Sequence, residues 1–265
     1  MYSKTQLALK YIQYLFTASN GKGHGTHSPF VYDFIEKILI DRTPYKAYET
    51  VELLRTQLKQ EEELLEVEDF GAGSAYESVK TRSVSSIAAR AAKPRKFGQL
   101  LFRIVQYYKP NHIIELGTSL GITTSYLALA NPDGLIHTLE GAELIAKKAE
   151  EDIKLLGIEN VRIIKGNFDV TLQRVLAMMP VVDMAFIDGN HRKEPTLRYF
   201  EALLQKRSET SIFIFDDIHW SKEMEEAWEE IKKHEGVMLT VDLFFVGIVF
   251  FSPAFKVKQD FTVRF

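Results

Sequence analysis

From residue 112 onward the chain alternates short apolar or β-branched runs with stretches of helical periodicity, and nothing else in it constrains the fold as tightly. The runs are HIIEL (112–116), LIHTLE (135–140), VRIIKG (161–166), VDMAFID (182–188) and SIFIFDD (211–217). Between them, in AELIAKKAEEDIKLLG (142–157), Ile145, Ala149, Ile153 and Leu156 recur at spacings of 4, 4 and 3, and Gly157 supplies a C-terminal stop. After SIFIFDD, Trp220, Met224, Ala227, Trp228 and Ile231 share one helical face. Ser221 is placed to cap that helix, and Glu223 and Glu225 suit its positive end. Repetition of strand and helix predicts an α/β chain with a parallel sheet covered by helices on both faces. VMLTVDLF (237–244) and VGIVFF (246–251) leave almost no room for a crossover helix, so they are expected to pair antiparallel. The expectation is a doubly wound sheet of seven strands, five parallel plus a C-terminal antiparallel pair.

Residues 1–95 read differently, as an N-terminal helical cap ahead of a main domain over 96–265. Helical patterns there are interrupted by GKGHGTHSPF (21–30) and DFGAGS (69–74). Residues 49–77 carry nine acids against two bases, and 78–114 carry eight bases and no acid. Such blocks usually mark solvated helix faces; the sharper alternative is a basic wall for an anionic substrate. In the first twenty residues Leu7, Ile12, Leu15 and Phe16 read as a helix face, and Lys10 interrupts any clean signal core. No apolar run approaches the roughly 18–20 residues of a membrane span, so a soluble, cytoplasmic protein without membrane partners is expected. The net charge of −3 gives no general attraction to nucleic acid, and the absence of cysteine excludes thiolate catalysis and Cys-ligated metals.

The first run leads into ELGTSLGITTS (115–125). Gly117 and Gly121 allow a tight turn and close backbone approach, and the following helix presents free N–H groups at its start. The next run ends in Glu140, 23 residues after Gly117, where an acid can accept hydrogen bonds from ribose hydroxyls. The G-x-x-x-G spacing is not the dinucleotide fingerprint, which disfavours a nicotinamide cofactor, and no Gly-Lys-Ser/Thr follows. S-adenosylmethionine fits better: it has no phosphates, and its methionyl carboxylate can meet the helix start near Thr123 or Thr124. EDFGAGS (68–74) resembles a glycine-rich cofactor loop in isolation, but no buried strand precedes it; it reads as a decoy, or as a loop folding over the site.

The fourth run ends FIDGNH (186–191) and the fifth FDDIHW (215–220). Both carboxyl ends fall on the ligand side of such a sheet, where Asp188, Asp216 and Asp217 can converge. Three carboxylates at one point raise each other's pKa unless a cation neutralises them. A hard divalent ion, Mg²⁺ first, resolves the conflict and would lower the pKa of a substrate hydroxyl. His191, three residues past Asp188, is within range as a general base. Blander readings stand beside these: Asp188 positions the cofactor alone, Asp217 caps the next helix, His191 bonds to loop backbone. Adjacent strand residues also tend to point to opposite faces. His219 is expected to be structural.

At these residues the chain resembles the class I S-adenosylmethionine-dependent methyltransferases, which have a Rossmann-like fold. Within them it is similar to the metal-dependent O-methyltransferases of catechol and caffeoyl-coenzyme A type, over roughly residues 97–251. The resemblance implies that Glu115, Gly117, Ser119, Gly121 and Thr123 surround the cofactor, that Glu140 takes the ribose, and that GNF (166–168), with Asn167 and Phe168, holds the adenine. It implies a metal-binding and catalytic Asp188, with His191 where the family has lysine, and Asp216-Asp217 where it has Asp-Asn. The N-terminal segment shapes substrate choice in such enzymes, which makes His24, His27 and Ser28 candidate lid or substrate contacts. The whole chain further looks like an uncharacterised bacterial group of these enzymes.

The leading expectation is methyl transfer from S-adenosylmethionine to an oxygen of a small molecule, with metal help. Metal-independent methylation of nitrogen or oxygen on another substrate is the near alternative, and a non-catalytic cofactor-binding protein the more distant one. A dehydrogenase is disfavoured by the glycine spacing. FIDGNH is not the (N/D)-P-P-(Y/F) motif of nucleic-acid amino-methylating enzymes, so no nucleic-acid partner is expected. A homodimer is expected only from the frequency of twofold oligomers.

Overall fold

All five runs become strands. The computed structural model describes residues 1–19, 21, 28–68, 79–90 and 93–265. The chain opens with α1 (Lys4–Thr17), α2 (Pro29–Phe34), a π-helical turn (Ile35–Leu39) and α3 (Lys46–Leu58). A short strand pair follows, β1 (Leu64–Glu68) and β2 (Val79–Ser83), then α4 (Val84–Arg90) and α5 (Arg95–Tyr108). The alternating part is β3 (His112–Leu116), α6 (Ile122–Ala130), β4 (Leu135–Glu140), α7 (Glu143–Leu155), β5 (Val161–Lys165) and α8 (Phe168–Met178). It continues through β6 (Val182–Ile187), α9 (Lys193–Leu204), β7 (Arg207–Asp216) and α10 (Lys222–Lys233). The chain ends with β8 (Leu239–Asp242), β9 (Val246–Phe250) and β10 (Gln259–Thr262).

These elements form two compact units, Arg42–Met178 and Met1–Asp41 with Met179–Phe265, so residues 1–95 contribute to both. In the first, β3, β4 and β5 pair in parallel in that order, and β1 and β2 form a separate antiparallel pair. β3 and β4 read as near-continuous apolar runs because both faces are covered: Ile113, Ile114, Leu116, Ile136 and Leu139 are fully buried. The α7 stripe of Ile145, Ala149 and Ile153 faces inward as its spacing requires, and Gly157 ends that helix with φ +69°.

In the second unit the order is β10-β8-β9-β7-β6. β6 and β7 are parallel, while β9 runs antiparallel to both β7 and β8, as the short connection demanded. Ser221 caps α10 by accepting from the Met224 N–H at 3.2 Å, and Met224, Ala227, Trp228 and Ile231 form its buried face. Among the described residues these β3–β10 strands number eight rather than seven. β10 adds the eighth, pairing parallel to β8 on the outer edge. Its sequence, QDFT, buries neither face completely and so lacks the apolar run that marks an interior strand.

The N-terminal helix also departs from expectation. Its packed face is Leu7, Tyr11, Tyr14 and Ala18, against Phe244 and Phe245, whereas Ile12 and Phe16 are exposed. Spacings of 4, 3 and 4 suit one helical stripe, and the tyrosines there are aromatic enough to bury. Among the described residues no helix is long and apolar enough to cross a membrane.

Candidate active site

In the unit spanning 42–178, the turn after β3 is built around two glycines in left-handed conformation, Gly117 at φ +105° and Gly121 at φ +73°. Gly121 is the N-cap of α6, and a side chain there would meet Ile153 at 3.1 Å. Between them Ser119 also takes a positive φ, +47°, which a non-glycine residue adopts only when its surroundings hold it there. Glu140 does the holding. Its Oε2 accepts from the Ser119 N–H at 2.8 Å and its Oε1 from the Ala142 N–H at 3.0 Å. Burial pushes this carboxyl above the usual range, opposed by the backbone donors of Ala142, Ser119 and Gly141.

Glu115 lies one layer beneath. It is fully buried, and its Oε2 accepts from the hydroxyls of Thr124 at 2.5 Å and Thr138 at 2.7 Å, joining β3, β4 and the start of α6. Thr118 bonds Thr138 at 2.6 Å in the same web. Thr123 is buried in the first turn of α6. After β5, Gly166 donates to the Glu140 carbonyl at 2.8 Å, which sets Asn167 and Phe168 beside the same strand end. The Asn167 Oδ1 accepts from the Asp169 N–H at 2.9 Å and opens α8. Glu115, Gly117, Ser119, Gly121, Thr123, Glu140, Asn167 and Phe168, named from sequence for the cofactor, therefore cluster at the carboxyl ends of β3, β4 and β5, whereas Asp188, also named for it, follows β6 in the other unit.

In the other unit, Asp188, His191 and Asp216 each offer one ligand atom, all within 4.8 Å of one another. The His191 Nε2 lies 3.5 Å from the Asp188 Oδ1, and Asp216 is buried. The turn that carries His191 is unusual: Asn190 and His191 both have positive φ, +65° and +21°. Asp217 is not part of this group. It starts the turn into α10 at φ +52°, its N–H donating to the Phe245 carbonyl at 2.7 Å and its carbonyl accepting from Trp220 at 2.9 Å. Of the lid candidates, Ser28 is buried at the N-cap of α2, and His24 and His27 lie outside the described residues, as does DFGAGS.

The segment after Asp216 is anchored by a charged network that pattern reading could not reach. His219 bridges two acids, Glu225 at 3.1 Å and Asp242 at 2.9 Å, while its ring stacks on Phe244. Glu225 also accepts from Tyr2 at 2.6 Å and from Lys10 at 3.0 Å. Burial opposes charge on both partners, but the ion-pair hydrogen bonds outweigh it: His219 titrates above the ordinary histidine range and Glu225 below the ordinary carboxylate range. A raised histidine contributes stability that is fully present below its unfolded pKa of about 6.5 and is lost as pH rises through the folded value. Glu225 contributes in the opposite sense: its share is present above the unfolded value of about 4.3 and fades as pH falls through the lower folded value. His219→Asn should therefore destabilise the protein more at pH 6 than at pH 9, measured by urea unfolding. An equal loss at both pH values would show that the charge on His219 contributes nothing.

Residues 114–218 match the family described as "Methyltransferase domain". The catechol O-methyltransferase of Niastella koreensis is 30% identical over 159 residues, 59% of this chain and 69% of that protein. The chain belongs to the class I S-adenosylmethionine-dependent O-methyltransferases. A transmembrane O-methyltransferase homolog of Rattus norvegicus is 31% identical over 109 residues, covering 40% of this chain and 42% of the rat protein. Among solved structures, the Bacillus cereus O-methyltransferase in complex with SAH matches 83% of this chain and 97% of its own, with a TM-score of 0.56 at 20% identity. The Streptomyces achromogenes O-methyltransferase involved in tomaymycin synthesis, in complex with SAM, matches 61% and 82% at a TM-score of 0.52 and 19% identity. At those identities the likeness is one of fold, and it is the Rossmann-like methyltransferase fold. Membership of the family, not the likeness of fold, makes S-adenosylmethionine the cofactor.

Proposed function

We propose that this methyltransferase acts on a hydroxyl of a small molecule, with a divalent cation held by Asp188 and Asp216. One observation carries the reading: two carboxylates and an imidazole, from the turn after β6 and the end of β7, place their ligand atoms within 4.8 Å of one another. Cis donors around a six-coordinate cation at about 2.1 Å stand about 3 Å apart, so a 3.5 Å spacing between Asp188 and His191 suits such an ion with little adjustment. Like charges brought this close favour a counter-ion.

For the cofactor, the reading gives Gly117, Ser119, Gly121 and Thr123 the methionyl end, where the backbone N–H groups opening α6 suit a carboxylate. Glu140 would accept from the ribose hydroxyls, and Asn167 and Phe168 would border the adenine. S-adenosylmethionine supplies an electrophilic methyl on sulfur. A cation held by Asp188 and Asp216 would supply Lewis acidity, lowering the pKa of a substrate hydroxyl beside it. In the transfer the substrate O–H bond would break with its proton passing to water, the oxygen–methyl bond would form, and the sulfur–methyl bond would break with its electron pair remaining on sulfur. Asp188 and Asp216 fix the charge that makes the first step easy.

The Niastella relative's name suggests catechols as the first substrates to try. Incubation with labelled S-adenosylmethionine and a catechol panel should transfer label to the phenolic oxygen, with loss of most of the rate in EDTA and recovery on adding a divalent cation. A rate indifferent to EDTA would remove the metal and leave metal-independent transfer.

A further inference from the structure

We infer that His191 is itself a ligand of that cation, through Nε2, and that this nitrogen makes the site prefer a later first-row transition dication such as Zn²⁺ over Mg²⁺. The inference rests on the metal reading above and concerns which residues and which ion complete it. Three acids, Asp188, Asp216 and Asp217, would make an all-oxygen site of the kind Mg²⁺ accepts. The described geometry assembles a different set. The third member of the group is the imidazole of His191, and Asp217 is outside it.

The backbone around His191 looks built to present that ring. Two consecutive non-glycine residues, Asn190 and His191, hold positive φ. Asn190 is fastened on both sides of its amide: its Nδ2 donates to the Tyr199 hydroxyl at 3.2 Å, and its Oδ1 accepts from the Arg192 Nε at 3.3 Å. Tyr199 is buried in α9, so the turn is tied to the unit's interior. A loop histidine bonded only to local backbone has no need of such a turn. Here the turn brings Nε2 to 3.5 Å from the Asp188 Oδ1 and into the group with buried Asp216.

The donor set then decides the ion. Carboxylate and water oxygens suit Mg²⁺, which demands near-ideal octahedral geometry and keeps several waters, whereas imidazole nitrogen suits the later first-row dications. One nitrogen with two carboxylates therefore moves preference away from Mg²⁺. It also alters the role of His191, because a lone pair engaged with a cation does not accept a substrate proton. Proton removal then relies on the lowered pKa of the bound hydroxyl.

The test reads binding rather than turnover. Mn²⁺, Zn²⁺ and Mg²⁺ are each titrated calorimetrically into the full-length wild type, His191→Asn and Asp216→Ala, with S-adenosylmethionine binding followed in parallel. Asparagine tolerates positive φ and offers an oxygen in place of the nitrogen, so His191→Asn should fold and retain a cation site. Wild type should favour Zn²⁺ over Mg²⁺, and His191→Asn should shrink that preference by roughly tenfold. Pulsed electron paramagnetic resonance of the Mn²⁺-loaded wild type should show a directly bound nitrogen that vanishes in His191→Asn. An unchanged Zn²⁺/Mg²⁺ ratio, or no nitrogen coupling, with binding still lost in Asp216→Ala, overturns the histidine ligand and leaves the metal reading standing. If no cation binds wild type while S-adenosylmethionine does, the metal reading fails and takes this inference with it.

Discussion

Glu140→Ala should weaken S-adenosylmethionine binding by about a hundredfold, measured by calorimetry. The estimate assumes two lost charge-assisted hydrogen bonds to ribose hydroxyls at about 1.5 kcal/mol each, or about 3 kcal/mol together. A second loss falls on the protein itself. The same carboxylate accepts from the Ser119 N–H at 2.8 Å, and Ser119 sits at φ +47°, a conformation it has little reason to keep alone. With alanine at 140 the turn between Gly117 and Gly121 loses the bond that shapes it, so the proposed site for the methionyl end loosens as well. Glutamine separates the two effects incompletely, because only one of its side-chain ends accepts. Its amide NH₂ would face either the Ser119 or the Ala142 N–H, donor against donor. Glu140→Gln should therefore fall between wild type and alanine. An alanine variant that binds within about threefold of wild type would show that Glu140 neither contacts the cofactor nor shapes the loop that holds it.

Much of this turn was legible because each residue type in it answers a local demand. Glycine at 117 and 121 is required by positive φ, and an acid at the end of β4 is required by donors gathered in front of it. The strands β3 to β7, and β8 with β9, were legible for the same reason: interior strands must be apolar, and a connection too short for a helix must reverse the chain. β7 begins at Arg207, four residues ahead of its apolar run, since polar residues at a strand's exposed start carry no such mark. β1 escaped notice because Leu65 alone of its leucines is buried, Leu64 being 68% exposed. The polar web was half legible. Glu115 and Thr138 are conspicuous inside apolar runs, yet nothing local says that they bond each other. His219 was legible as a structural residue but its network was not, since its partners stand 6 and 23 residues away and Glu225 draws in Tyr2 and Lys10 from the far end of the chain. Choosing between Asp216 and Asp217 needed the turn at 217, which sequence alternation could only suggest.

Trp228→Ala should cost about 3–5 kcal/mol of unfolding free energy, the range for emptying a large aromatic from a packed core. For a chain of this size that lowers the thermal midpoint by roughly 10 °C. Trp228 is 1% exposed, and its ring lies against Gly247 so closely that a side chain there would approach three ring atoms at 2.7–2.9 Å. Glycine at that point of β9 exists to let the indole in. Gly247 stands opposite Phe215, and the next pair along is Val246 with Asp216. The indole thus packs under the strand pair whose end carries a proposed metal ligand, and a cavity there frees that end to shift. Cation affinity should fall in Trp228→Ala beyond what partial unfolding explains, which titration well below the midpoint would reveal. Trp228→Phe supplies the control. The indole N–H finds no acceptor among the described residues, so phenylalanine removes a buried unsatisfied donor while keeping most of the volume. It should cost less than half as much as alanine. A phenylalanine variant as unstable as the alanine one would mean that the N–H has a partner and that the indole is held by more than packing.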